Sequence, residues 1–175
     1  MQGTLVNSIL TAQSNILRAL DRSHIALLLL IDFSKAFDMV DHSALLKKLE
    51  HYGIRGSALG WLQAYLANRS QYVNLGTAKS VPKLLKYGVP QGSILGPLLF
   101  IIYINDLPEI TNIAEFIFFA DDANIIITGT DMAEIVNKLE SVLPKIENWV
   151  DSNGLKMNLK KNKIHAICQQ KQETR

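Results

Sequence analysis

The sequence has little or none of what several protein classes require. It contains one cysteine, Cys168, which excludes an internal disulfide framework and a cysteine-based zinc cluster and fits a reducing compartment. Its longest charge-free apolar stretches, Ile25–Ile31 and Ile94–Ile104, are well short of the roughly 18–20 residues that a membrane helix needs. The amino terminus also lacks the charged-then-apolar pattern of a signal peptide. These absences favour an intracellular protein that has no membrane partner.

Internal repeats, low-complexity tracts and linkers rich in Pro, Gly or Ser are absent as well. The composition, 48% hydrophobic and 19% charged, is that of an ordinary globular protein. The simplest expectation is therefore one domain that covers residues 1–175.

Acidic residues are missing from the whole of residues 51–105. Five basic residues fall in that interval: Arg55, Arg69, Lys79, Lys83 and Lys86. Segregated positive charge is typical of a groove that follows nucleic-acid phosphates, because each neutralised phosphate releases counterions. The alternative is a solvated surface on which these side chains keep the protein soluble.

Hydrophobic periodicity predicts helices and strands in mixed order. Helices are predicted at about Leu5–Leu20, Ser43–His51, Ser57–Asn68 and Asp131–Gly154. A further helix is predicted to begin within Gly92–Pro97 and to end at about Asn105. Strands are predicted at about Ile25–Phe33, Gln71–Leu75, Glu115–Ala120, Ala123–Thr128 and Ile164–Cys168, with Asp121 and Asp122 at the tip of a hairpin. This order predicts an α+β architecture with one sheet backed by helices.

Three aspartates lie in or at the ends of strongly apolar strands: Asp32, Asp121 and Asp122. An unpaired carboxylate is costly in such surroundings, and two adjacent carboxylates repel each other. A divalent cation with oxygen ligands, such as Mg²⁺, would relieve this repulsion, and carboxylates from separate strands are the ligands of two-metal phosphoryl-transfer sites. The alternative for a single aspartate such as Asp32 is a structural residue that accepts backbone hydrogen bonds.

Three longer motifs accompany these aspartates. Residues 31–38 read IDFSKAFD, residues 88–97 read GVPQGSILGP, and residues 119–122 read FADD. In this order they resemble the catalytic motifs of reverse transcriptases from LINE-type (non-LTR) retrotransposons. Residues 52–73 and residues 104–108 are also similar to this family, and these two segments distinguish the LINE-type group from its group II intron, retroviral and telomerase relatives. The resemblance extends from about Gly3 to Cys168.

The resemblance implies a polymerase palm, with a mostly antiparallel sheet and a catalytic hairpin, that copies an RNA template into DNA from a DNA primer and dNTPs. Asp32, Asp121 and Asp122, with the carbonyl of Phe33, would hold two Mg²⁺ ions, or Mn²⁺ in their place. These metals would activate the primer 3′-hydroxyl and neutralise the triphosphate.

Four further residues take roles from the same resemblance. Phe37 would lie under the incoming sugar and exclude a 2′-hydroxyl, with an ordinary core position as the alternative. Gln91 would contact the nascent base pair or the template, and Gly92 would allow close backbone approach. Lys161 would lie near the pyrophosphate leaving group, with a solvated surface role as the alternative.

The sequence departs from the family in two ways. Asn162 replaces the usual Ser or Thr after Lys161, and Ala123 replaces a common hydroxyl residue after the Asp pair. The fingers segments upstream of Asp32 and a thumb are expected to be largely missing, which would make this chain a fragment. The alternative function is therefore an idle nucleic-acid-binding remnant of the same fold. Protein partners are not predicted, and nuclear localisation is implied only by the family.

Overall fold

The computed structural model describes residues 2–119, 122–158 and 162–167, with side chains from residue 10 onward. This described part contains five α-helices: α1 (Gln2–Asp21), α2 (His42–His51), α3 (Gly56–Leu66), α4 (Leu95–Ile104) and α5 (Met132–Ser152). It also contains eight strands: β1 (Ile25–Asp32), β2 (Ser70–Gln71), β3 (Asn74–Leu75), β4 (Ala78–Lys79), β5 (Lys83–Leu84), β6 (Glu115–Phe119), β7 (Asp122–Gly129) and β8 (Lys163–Ile167). The chain divides into two compact units, one from the described parts of residues 1–34, 106–152 and 156–175, the other from residues 35–105 and 153–155.

The first unit is built on a four-stranded antiparallel sheet in the order β6-β7-β1-β8. β1 pairs with β7 along its entire length, from Ile25 opposite Gly129 to Asp32 opposite Asp122. Helix α5 packs against β7 and β1, and α1 packs against β6 and β1. The predicted α+β class, the antiparallel sheet and its helical backing are therefore confirmed.

The two faces of β1 differ in burial. Leu27, Leu29 and Ile31 are at most 5% exposed, whereas Leu28, Leu30 and Asp32 on the other face are half-buried. β-Strand side chains alternate between faces, and residues directly opposite each other share a face. In β7, Asp122 is exposed and Asn124 is half-buried, so the face that carries Asp32 is the less buried one at this end of the sheet.

The second unit packs α2 against α3 and α4 around a core that includes Leu45, Leu49, Phe100 and Tyr103, each 0% exposed. Helix α2 begins after Asp41, whose carboxylate accepts a hydrogen bond from the Ala44 amide at 2.8 Å. This cap satisfies a backbone donor that the helix itself cannot use.

The predicted strand Gln71–Leu75 was wrong in one respect, because two short strands occupy this region. Ser70 and Gln71 pair with Leu84 and Lys83, while Asn74 and Leu75 pair with Lys79 and Ala78. Two residues separate the ladders on the outgoing side and three on the returning side, which is the count of a β-bulge. Pro82 lies in the longer side and has no amide hydrogen to donate to a ladder. Residues 70–84 thus form one interrupted hairpin, called the basic hairpin below.

Helix α4 begins at Leu95, within the predicted interval Gly92–Pro97, and its start is fixed by Ser93. The Ser93 hydroxyl donates to the Pro90 carbonyl at 2.7 Å and accepts from the Gly96 amide at 2.9 Å. These bonds tie the segment that carries Gln91 to the first turn of α4.

Candidate active site

The strand pairing brings two of the three predicted aspartates together. Asp32 at the end of β1 is the register partner of Asp122 at the start of β7. The hairpin prediction was therefore wrong for Asp122, which lies within the ladder, opposite Phe119 as well as Asp32, and not at the tip. Asp121 lies outside the described residues, so its position relative to Asp32 stays a prediction.

The hydrogen bonds of Asp32 define the type of this cross-strand pair. The Asp32 amide donates to Asn162 Oδ1 at 3.1 Å, and the Asp32 carbonyl accepts from the Asn158 amide at 2.8 Å. Both backbone groups therefore point away from β7. Asp32 and Asp122 thus form a non-hydrogen-bonded pair, for which the Cα atoms are roughly 4.5 Å apart and the side chains are at their closest.

Asn158 also contacts the carboxylate of Asp32 directly. Its Nδ2 donates to Asp32 Oδ2 at 2.9 Å, and its carbonyl accepts from the Asn162 amide at 3.1 Å. Asn158 and Asn162 therefore hold both the backbone and the side chain of Asp32. The sequence reasoning did not assign either as a site residue. The available signal was the departure at Asn162, where an amide stands in place of the family's hydroxyl.

The donor set at this end of the sheet fits a hard divalent cation, because carboxylates occupy directly opposite positions of two neighbouring strands. Within residues 2–119, 122–158 and 162–167, no three His, Cys, Asp or Glu side chains are grouped closely enough to hold a metal ion. The predicted trio includes Asp121, which is outside these ranges.

Phe33 is 2% exposed and its backbone bridges to Met157. The role of its carbonyl as a ligand stays a prediction, and Lys161 also lies outside the described residues.

The second unit contains an open groove of about 880 Å³. Its lining residues come from three stretches: Lys35 and Asp38, Arg69–Gln71, and Leu84–Gln91. Gln91 is exposed, and its Nε2 donates to Asp38 Oδ1 at 2.9 Å. That bond limits the positions that the amide can adopt and leaves its oxygen available to a ligand.

Phe37 is half-buried, and its ring lies 5.0 Å from the ring of Phe100 at a 45° tilt. Its carbonyl accepts from the Val89 amide at 2.8 Å, which joins the first motif to the second.

At Gly88, φ is 89°, and an added Cβ would lie 3.0 Å from the Cα of Asp38. Close backbone approach therefore requires glycine at position 88, and it does so at Gly96 as well, where an added Cβ would lie 2.7 Å from the Pro90 carbonyl oxygen. Gly92 has φ of 77° but open space around it.

The five basic residues of the acid-free interval separate into two groups. Arg69 and Lys86 line the groove beside Gln91. Arg55, Lys79 and Lys83 are exposed and do not line it. Two of the five predicted basic residues thus line the groove. Whether any of the five contacts phosphate stays a prediction.

None of the helices in the described part of the chain is both long enough and apolar enough to cross a membrane.

Known proteins with similar sequences are polymerases of mobile elements. The family model for reverse transcriptase (RNA-dependent DNA polymerase) matches residues 5–174. The chain is 30% identical over 160 residues to a probable RNA-directed DNA polymerase from transposon BS of Drosophila melanogaster. The aligned region covers 84% of this chain and 17% of that protein. It is 27% identical to the RNA-directed DNA polymerase from mobile element jockey of the same species, over 83% of this chain and 16% of that protein. The chain thus spans about a sixth of the length of these relatives.

Solved structures with the same fold include telomerases. The apo telomerase of Candida tropicalis, truncated from its C-terminal domain, superposes with a TM-score of 0.65 at 16% identity, over 98% of this chain and 36% of that chain. A telomerase of Candida albicans in complex with a fragment of telomeric RNA gives a TM-score of 0.62, over 100% of this chain and 32% of that chain. At this identity the likeness concerns the fold alone. The family match shows that the chain belongs to the reverse transcriptase (RNA-dependent DNA polymerase) family, and the mobile-element relatives place it in the LINE-type group of non-LTR retrotransposons.

Proposed function

We propose that this chain is an RNA-directed DNA polymerase domain that transfers a nucleotide to the 3′-hydroxyl of a DNA primer paired with an RNA template. The observation that carries the proposal is the non-hydrogen-bonded pair of Asp32 and Asp122 on the less buried face of the sheet. Two carboxylates held this close repel each other, and a bound cation would offset that repulsion. The names of the relatives support the same activity, although the aligned part of this chain spans only about a sixth of each relative.

Asp32 and Asp122, together with Asp121 and the Phe33 carbonyl, would hold two Mg²⁺ ions or Mn²⁺. When bound, the ions would lower the pKa of the attacking hydroxyl and offset the charge that develops on the phosphates. Asn158 and Asn162 keep Asp32 in place for this role, since they fix its carboxylate and its backbone from the side opposite β7. Such partners of metal ligands set ligand orientation and metal affinity.

The second unit would select the substrate. The Phe37 ring, supported by Phe100, would lie under the incoming sugar and exclude a 2′-hydroxyl. Gln91, oriented by Asp38, would contact the template or the nascent base pair in the groove. The backbone bond between Phe37 and Val89 holds these two selecting segments together. Lys161 would serve the pyrophosphate leaving group.

The test is extension of a DNA primer on an RNA template by this chain, with Asp32→Asn beside the unmodified protein. We expect Asp32→Asn to reduce the rate by more than about 100-fold, because changing even the hydrogen-bond partners of metal ligands costs about 10–100-fold. Asp151→Asn, at an exposed aspartate in the last turn of α5, is the matched control and should leave the rate unchanged.

Extension that persists in Asp32→Asn, or that needs no divalent cation, would contradict the proposal. If the chain binds an RNA–DNA hybrid and yet fails to extend the primer with Mg²⁺ or Mn²⁺, it is the idle nucleic-acid-binding remnant instead. Binding and extension are therefore measured on the same preparations.

A further inference from the structure

A column of stacked side chains runs along one exposed side of α3 and beyond its end. Trp61 is 58% exposed, and its ring stacks on that of Tyr65 with centroids 5.8 Å apart and planes 16° from parallel. The Arg69 guanidinium follows, 5.7 Å from the centre of the Tyr65 ring. The first two residues are one helical turn apart, so the helix itself sets their spacing.

This column leads to the groove that holds Gln91, because Arg69 belongs to both. The basic hairpin adds a second pair of the same kind, in which Lys79 Nζ lies 5.8 Å from the ring centre of the 53%-exposed Tyr72. In each of these two places, a cation therefore lies over an aromatic ring. We call Trp61, Tyr65, Arg69, Tyr72 and Lys79 the aromatic–cation surface.

The chemistry of this surface favours a nucleic acid over a protein. Residues 51–105 contain no carboxylate side chain, so the surface offers a partner cations and aromatic rings but no negative charge. A polyanion complements that balance throughout its length. The exposed ring faces further favour unpaired bases, since the bases of a duplex are already stacked on one another and a single strand can stack on aromatic side chains.

We propose that the aromatic–cation surface binds single-stranded RNA, with bases stacked on Trp61 and phosphates near Arg69 and Lys79. In a reverse transcriptase this strand is the unpaired part of the template, which continues through Arg69 into the groove beside Gln91. The identification of the strand as template rests on the proposed function, whereas binding of single-stranded RNA does not.

The experiment measures the affinity of the chain for a fluorescein-labelled oligouridylate of about 15 nucleotides, near the upper site size of single-strand-binding domains. It is carried out in EDTA, so that metal-dependent chemistry makes no contribution. Trp61→Leu should weaken binding by about tenfold, since stacking on an aromatic ring contributes that order of affinity per base. Trp61→Phe, which keeps a ring face, should recover most of the loss.

Two controls separate stacking from general damage. Tyr52→Leu changes a 38%-exposed tyrosine that is outside the surface, and it should bind as the unmodified chain does. A blunt RNA–DNA hybrid should bind Trp61→Leu and the unmodified chain equally, because it presents no unpaired base. Trp61 and Trp149 are the two tryptophans of the chain, so Trp149→Phe isolates the fluorescence of Trp61, which RNA should quench.

The proposal is overturned if the unmodified chain fails to bind the oligouridylate, if Trp61→Leu binds it with full affinity, or if this variant loses hybrid binding equally. Failure of primer extension combined with the expected Trp61 result would refute the proposed function and leave this surface intact. Normal extension combined with full affinity in Trp61→Leu would refute the surface alone.

Discussion

Two antiparallel ladders in this protein are stabilised in different ways. The β1–β7 ladder has eight consecutive pairs, and one side of it is made of Leu and Ile side chains at most 5% exposed. The basic hairpin has four pairs in two short ladders, and residues 70–84 are exposed throughout. An isolated two-stranded hairpin is marginally stable in water, whereas a sheet gains its stability from apolar burial. The comparison indicates that burial holds the residues of the sheet in fixed positions, whereas the residues of the hairpin are exposed to solvent.

The sheet and the basic hairpin also differ in the sign of their charge. The less buried face of the sheet ends in the carboxylates of Asp32 and Asp122, while the second unit carries Arg69, Lys86 and the exposed cations of the hairpin. Carboxylates need rigid placement to serve as metal ligands. Phosphate contacts position a nucleic acid and do not distinguish its base sequence. The predictions below test this division of roles, beginning with the largest expected effect.

The same substitution in the two ladders should have unequal effects on stability. Leu29→Ala in β1, where the side chain is 4% exposed, should lower the free energy of unfolding by about 2–5 kcal/mol. Leu75→Ala in the hairpin, where the side chain is 75% exposed, should change it by less than about 0.5 kcal/mol. Denaturant unfolding of both variants measures the difference. Equal losses would show that the hairpin also depends on burial, and the comparison would fail.

Substrate selection should respond to the second unit independently of the metal site. Phe37→Val should raise the incorporation of ribonucleotides relative to deoxyribonucleotides. The variant is made in this chain, or in a longer chain if this one alone fails to extend a primer. We expect a change of about 10–200-fold, the scale on which a pocket discriminates small changes in bulk. The Mg²⁺ concentration at half-maximal rate should stay the same. An unchanged ratio would make Phe37 an ordinary partner of Phe100 in the core.

The basic residues should contribute to nucleic-acid binding through their charge and not by recognising the base sequence. Replacing Lys79, Lys83 and Lys86 with Gln should reduce the slope of log affinity against log salt by roughly 0.7–0.9 for each phosphate that a lysine no longer neutralises. Sequence preference should be the same before and after. The structure sharpens this prediction, because Lys86 lines the groove and the other two do not.

We therefore expect Lys86→Gln to affect an RNA–DNA hybrid, and the Lys79→Gln, Lys83→Gln double variant to affect single-stranded RNA more. Affinities measured across salt concentrations with both ligands distinguish the variants. A slope that does not change in the triple variant would return all three lysines to the role of solubilising residues.

The smallest effect is expected at the start of α5. The Lys138 ammonium, 2.6 Å from the carboxylate, together with the amide and hydroxyl of Thr130, lowers the pKa of Glu134 to about 2. A lowered pKa stabilises the folded state above the ordinary value of about 4.5, and this contribution is lost as the pH falls through about 2. Glu134→Gln should therefore lower the melting temperature slightly at pH 7, with a difference that narrows under acid.

The Glu134 carboxylate is exposed, so solvent and salt screen the interaction and the difference at pH 7 should also decrease in high salt. Thermal melts of both proteins across pH and ionic strength measure it. A difference that is constant from pH 7 to pH 2 would assign it to helix propensity and not to charge.

Much of the fold could be predicted from local patterns. β1 was evident from its short continuous apolar run, and α5 was evident because burial of one helix face imposes a helical period on the sequence. The start of α5 was predicted from Asp131 and Glu134, and the Asp131 carboxylate does accept from the Glu134 amide at 2.8 Å. The bulge in the basic hairpin was missed, since an extra residue in one strand is defined only by which residues it faces.

The candidate site shows the same limit. The sequence by itself determined which residues were predicted to form the site, among them Asp32, Asp122, Phe37 and Gln91, because carboxylates in apolar strands and motifs that resemble a family are local features. Only the tertiary structure decided that Asp122 lies in the ladder opposite Asp32, and that Asn158 and Asn162 hold Asp32 from its other side. These contacts join residues about 90–130 positions apart in the chain, and a hydrogen bond over that separation depends on strand register, which is set by packing of the whole sheet.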